Sequence, residues 1–137
     1  MAILSKAGGT GNPPQEVKNG QFIQRLDKWT HNTKWVWAPD IKAAVHVSGD
    51  VVPITQELTN VVHTTITYEV KYTIIDFTAG TVTVKLGSGD TGTVISANGS
   101  YIVESVFTTD IELSFTPTTD FIGYVTGVSV RKLKVQP

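Results

Sequence analysis

The chain contains no cysteine, so disulfides and thiolate metal sites are excluded and the redox compartment goes unmarked. It has no apolar run of membrane-spanning length, and residues 1–10 lack the apolar core of a secretion leader. The expectation is therefore synthesis in the cytoplasm, with no secretion signal and no membrane partner. Charge is sparse as well: 11 Lys and Arg stand against 12 Asp and Glu, a net charge of −1, without the basic face that a nucleic-acid binder needs. Helical periodicity is missing throughout, and residues 58–62 have neither caps nor a 3.6-residue repeat.

Catalytic patterns are also missing. There is no Gly-x-Ser-x-Gly elbow, and the glycine-rich stretch 87–92 is followed by neither a lysine nor a helical pattern, which excludes a phosphate loop. His31, His46 and His63 have no second ligand at metal-like spacing and read as surface or loop residues. Asp27, Asp40, Asp50, Asp76, Asp90, Asp110 and Asp120 fall mostly in predicted turns, where a short carboxylate bonds its own backbone, and no pair is singled out for glycoside chemistry. Asn98-Gly99-Ser100 fits a glycosylation pattern, but without a leader it reads as a tight turn, with Asn98-Gly99 of the hairpin type that needs positive φ. No catalytic residue, metal ligand or cofactor is expected. The chain reads as a non-enzyme.

What the chain does have is alternation. In 65–74, Ile66, Tyr68, Val70, Tyr72 and Ile74 share one face, while Thr65, Thr67, Glu69, Lys71 and Thr73 share the other. Val82, Val84 and Leu86 repeat the pattern, as do Ile111, Leu113 and Phe115, and 121–130 closes the series. Shorter strands are predicted at 35–37, 43–47 and 54–58, with Ser48-Gly49-Asp50 turning between the last two. Strands wet on one face belong to antiparallel sheets stacked in pairs. The predicted fold is all-β: a jelly-roll β-sandwich of two antiparallel sheets over 19–137, preceded by an extended N-terminal docking arm over 1–18. With 137 residues there is room for one domain. The arm, with Leu4, Pro13 and Pro14, has little to bury and needs another chain to order it.

Several segments, in order, carry a resemblance. Asn19-Gly20-Gln21-Phe22 followed by Trp29, then 54–58, 67–72, Val84-Lys85-Leu86-Gly87, 98–101 and 121–130 are similar to the carbohydrate-binding-module-like jelly rolls. The resemblance covers nearly all of 19–133. It implies either a sugar-binding module of the kind attached to glycosidases or a structural protein of a tailed-phage virion. It also implies a structural calcium, held in part by an Asp of a closing Ile-Asp-Asn-Val-Ser-Val. Here that strand reads Val125-Thr126-Gly127-Val128-Ser129-Val130, and Thr126 is a poor substitute for a carboxylate.

Trp29, Trp35 and Trp37 lie within nine positions, and the last two share a strand face. Three readings remain open for them: core filling, subunit interface, or a platform on which sugar rings stack. The function expected from the whole is that of a virion structural protein, a capsid decoration or accessory protein docked through the arm and a sheet edge to other virion proteins. A homo-oligomer, first of all a trimer, is expected to supply avidity. The alternative is a stand-alone carbohydrate-binding module using exposed Trp and Tyr residues, with a host-surface glycan as partner.

Overall fold

The computed structural model describes residues 14–62 and 65–133. Among them nine strands form and no helix does: β1 (Trp35–Ala38), β2 (Ala43–His46), β3 (Ile54–Glu57), β4 (Thr67–Ala79), β5 (Val82–Leu86), β6 (Thr93–Ile95), β7 (Gly99–Val106), β8 (Glu112–Pro117) and β9 (Ile122–Lys132). They build a five-stranded sheet in the order β1-β2-β9-β4-β7 and a four-stranded sheet in the order β3-β8-β5-β6, with every pair antiparallel. The fold is a jelly-roll β-sandwich.

Alternation sets the inner faces. Along β4, Tyr68, Val70, Tyr72 and Ile74 are at most 1% exposed, so the period of two translates directly into a buried stripe. Val82, Val84 and Leu86 on β5 face them, with Leu113 and Phe115 on β8, while Ile111 lies just before β8 and is only partly buried. An aromatic contact locks the two layers edge to face, Tyr72 of β4 meeting Phe115 of β8 at 5.6 Å and 84°, while Tyr68 meets Phe107, just beyond the end of β7, at 5.8 Å and 83°. The β4–β9 pairing slips between Lys71 and Thr73, close to Gly127, whose φ of 60° lies in the left-handed region.

Three expectations change in the folded chain. Asn98-Gly99 does not close a hairpin, because β6 pairs with β5 in one sheet and β7 pairs with β4 in the other. The segment is a crossover, and Asn98 Oδ1 pins it by accepting from Phe77 N at 2.8 Å. His46 is fully buried rather than superficial. It stands in β2 between the rings of Trp35 (4.9 Å) and Phe121 (5.7 Å), with Nδ1 2.8 Å from Phe121 O.

The third change concerns the end of the expected arm. Glu16 N donates to Val130 O at 2.8 Å, Val17 is 5% exposed, and Gln56 bonds both N and O of Lys18 at 2.7 and 2.8 Å. Residues 15–18 therefore belong to the body. Pro14 is exposed, and Leu4, Pro13 and His63 lie outside the described residues.

Candidate functional site: a groove beside Trp37

The segment 19–34 carries the site, and its backbone is unusual. Asn19, Phe22, Arg25 and Lys28 all have positive φ (53°, 54°, 58° and 74°), a left-handed residue every third position. Such a chain turns repeatedly, with Phe22 N bonding Asn19 O and Asp27 N bonding Gln24 O. Asn19 holds the turns together. Its Nδ2 donates to the carbonyls of Asp27 (2.9 Å), Arg25 (3.0 Å) and Gln24 (3.4 Å), and its Oδ1 accepts from Gln24 N at 3.0 Å. Gly20 next to it packs so closely on Val128 that a side chain at position 20 would collide with the Val128 carbonyl.

Turning every third residue points Phe22, Leu26 and Trp29 inward. Phe22 stacks on Trp29 at 5.4 Å and 25°, and Trp29 meets Phe115 edge-on at 6.3 Å. Thr30 then exchanges two backbone bonds with Thr55, at 2.8 and 2.9 Å, covering the free edge of β3. With the apolar residues fixed below, Arg25, Asp27, Lys28 and His31 are left exposed along a rim.

That rim and strand β1 enclose an open groove of roughly 570 Å³. Trp37 stands in its wall, half-buried, opposite the small Ala44 of β2. Its Nε1–H donates to Phe22 O at 2.8 Å, which fixes the indole plane. The Arg25 guanidinium carbon lies 5.0 Å from the ring centroid and Lys42 Nζ 5.4 Å.

The three tryptophans thus part company. Trp29 is 6% exposed and Trp35 2%, with Trp35 Nε1 bonded to Val52 O at 2.9 Å, so both fill the core although they also line the groove. Only Trp37 of the three reaches solvent enough to meet a ligand. The rim residues Arg25, Asp27, Lys28 and His31 line the groove with it, and Lys42 lies beside its ring without lining the groove; sequence reasoning missed Arg25 and Lys28, because no periodicity marks a loop of left-handed turns, and it missed Lys42 as well.

The calcium that the resemblance implies does not fit this chain. Thr126 Oγ1 donates to Lys42 O at 2.7 Å, and its neutral hydroxyl brings no charge to a cation that needs carboxylate oxygens. The one cluster of converging carbonyls in this loop is already filled by the Asn19 amide. The described residues contain no group of three or more His, Cys, Asp or Glu able to hold a metal ion.

Known structures support the fold. No family model matches the chain, and no curated protein is similar to it in sequence. Among solved structures, the arabinose-bound MgGH51 α-L-arabinofuranosidase is similar with a TM-score of 0.65 at 15% identity, over 91% of this chain and 27% of that one. A family 16 carbohydrate-binding module is similar with a TM-score of 0.58 at 15% identity, over 84% of this chain and 98% of the module. The body is a carbohydrate-binding-module-like jelly roll. The likeness covers the whole of the module but only about a quarter of the arabinofuranosidase, and at this identity it concerns the fold alone.

Proposed function

We propose that this chain is a non-catalytic carbohydrate-binding module that holds its ligand in the groove beside Trp37. The observation that carries the reading is the half-buried Trp37 indole, rigidly oriented by its bond to Phe22 O and bordered by exposed Arg25, Asp27, Lys28 and His31. A flat apolar ring suits the C–H face of a pyranose, and convergent donors and acceptors around it suit sugar hydroxyls. The jelly-roll likeness to a carbohydrate-binding module that is matched over nearly its full length points the same way. Fixing the indole before binding reduces the entropy lost on association.

The outer face of the five-stranded sheet is the rival surface. There Tyr124 lies in register with Val45 of β2 and Ile75 of β4, and its ring is partly exposed. Affinity electrophoresis against a panel of soluble polysaccharides separates the two. Retardation that disappears in Trp37→Ala and persists in Tyr124→Ala supports the groove; the reverse pattern moves the site to the sheet, and no retardation by any glycan refutes the proposal. Circular dichroism on each variant shows whether the domain is still folded.

The reading as an accessory protein of a virion depends on the arm. Most of that arm lies outside the described residues, its last residues pack on the body, and no feature of the sandwich favours capsid docking over sugar binding.

A further inference from the structure

The cations around Trp37 carry information about the ligand. Arg25, Lys28 and Lys42 are all exposed, and two of them sit within 5.4 Å of the one indole centroid, while Asp27 is the sole carboxylate lining the groove. This is a positive spot on a chain whose net charge is −1. Neither Arg25 nor Lys28 has an ion-pair partner among the described residues, and Lys42 Nζ donates only to Pro39 O, at 2.9 Å. A groove built for neutral sugar gains little from two cations without ion-pair partners on its rim and a third beside its tryptophan, which repel one another and hold water.

We infer that the groove selects an acidic glycan, in which a uronate ring packs against Trp37 and its carboxylate is taken by Arg25 and Lys28. The inference rests on the groove being the sugar site. The chemistry is specific. A guanidinium presents paired N–H donors that match the two oxygens of a carboxylate, and the pair is charge-assisted. Arg25 lies over the indole at 5.0 Å, so an incoming uronate ring displaces this exposed side chain from the ring face and its guanidinium follows the carboxylate at the edge of the sugar. Asp27 acts in the opposite sense, repelling a carboxylate placed beside it and accepting from a sugar hydroxyl instead, which orients the ring.

Isothermal titration with three probes tests the inference: polygalacturonate, its fully methyl-esterified form, and dextran sulfate. The ester keeps the ring and removes the charge, whereas dextran sulfate keeps charge without the carboxylate. The expected result is that polygalacturonate binds at least about tenfold more tightly than the ester, the weight of one charge-assisted hydrogen bond. Its affinity should fall as salt rises. Arg25→Ala should erase the preference, Arg25→Lys should restore part of it, and Trp37→Ala should weaken both uronate forms.

Equal binding of acid and ester, or of neutral polysaccharides, overturns the acidic specificity and leaves the sugar-binding proposal standing. Dextran sulfate binding as well as polygalacturonate, with no effect of Trp37→Ala, shows mere attraction of polyanions and overturns the inference. Failure of every glycan, neutral or acidic, sinks the underlying proposal as well.

Discussion

The loop that builds the groove depends on one side chain, and Asn19→Ala should show it. The substitution removes two well-formed donor bonds, to Asp27 O at 2.9 Å and Arg25 O at 3.0 Å, a weaker one to Gln24 O at 3.4 Å, and the acceptor for Gln24 N at 3.0 Å. Net contributions run about 1 kcal/mol per good bond, and less where water can replace the partner, as it can in this exposed loop. Ala also tolerates the left-handed backbone at position 19, φ 53°, less readily than Asn.

The combined loss should be about 2–3 kcal/mol, which for a domain of this size lowers Tm by roughly 10 °C. Asn19→Gly keeps the backbone freedom and loses the amide, so it separates the two contributions and should fall in between. Asn19→Asp turns a donor into an acceptor facing three carbonyls. It should destabilise more than Asn19→Ala in the presence of a chelator and recover in millimolar calcium, since a cation suits the oxygen cluster that the amide now fills. Differential scanning calorimetry on the four proteins decides the matter: a Tm for Asn19→Ala within about 2 °C of the parent would refute the reasoning.

Tyr72 offers a pH-dependent case. Burial, reinforced by Tyr101 stacked beside it, pushes its phenol up to about 12 from an ordinary 10.0. A raised folded-state value means this stability is intact below pH 10 and lost as pH rises toward 12, so alkaline melting should be steep and Tyr72→Phe should flatten it. Because the Tyr72 hydroxyl is buried without a hydrogen-bond partner among the described residues, Tyr72→Phe should also stabilise the neutral-pH protein by about 1 kcal/mol in urea titration. Asp50 behaves oppositely: partial burial pushes its carboxyl up, but hydrogen bonds from Asn32 and Val52 N, with the His46 imidazole 3.7 Å away, outweigh this and hold it below its ordinary value. Its contribution is present above the ordinary value of 3.8 and fades as pH falls through the lower folded value, so Asn32→Ala should move the acid melting profile to higher pH. Trp35→Ala should cost about 3–5 kcal/mol, measured by chemical denaturation. Light scattering at micromolar concentration tests the expected symmetric trimer, and a monomer would remove it.

The sheets were legible because their signal is local. Tyr68, Val70, Tyr72 and Ile74 alternate without a break, and burial follows the alternation residue by residue. β7 escaped because Ile102, 61% exposed on the outer face, interrupts the pattern set by Tyr101 and Val103. His46 was misread because only the pairing of β2 with β1 on one side and β9 on the other places its imidazole between Trp35 and Phe121. The groove was half visible. Trp35 and Trp37 share a strand face, but they differ in burial: Trp35 is closed in, whereas Trp37 packs on the core only in part and has Phe22 O, Arg25 and Lys42 as its polar neighbours. That loop turns on non-glycine residues in the left-handed region, for which no spacing rule prepares a reader.

Trp37 is the ring proposed to contact the ligand, and the protein supplies its own internal controls, having three tryptophans. Each has its indole N–H bonded to a different backbone oxygen: Trp29 to Asn19, Trp35 to Val52 and Trp37 to Phe22. Each should therefore give a separate indole signal in a nitrogen–proton correlation spectrum. Titration with polygalacturonate oligosaccharides should shift the Trp37 signal progressively and saturably while those of Trp29 and Trp35 stay in place. A titration in which all three signals stay fixed while sugar binds, or in which the Trp29 or Trp35 signal moves and that of Trp37 does not, would contradict the account.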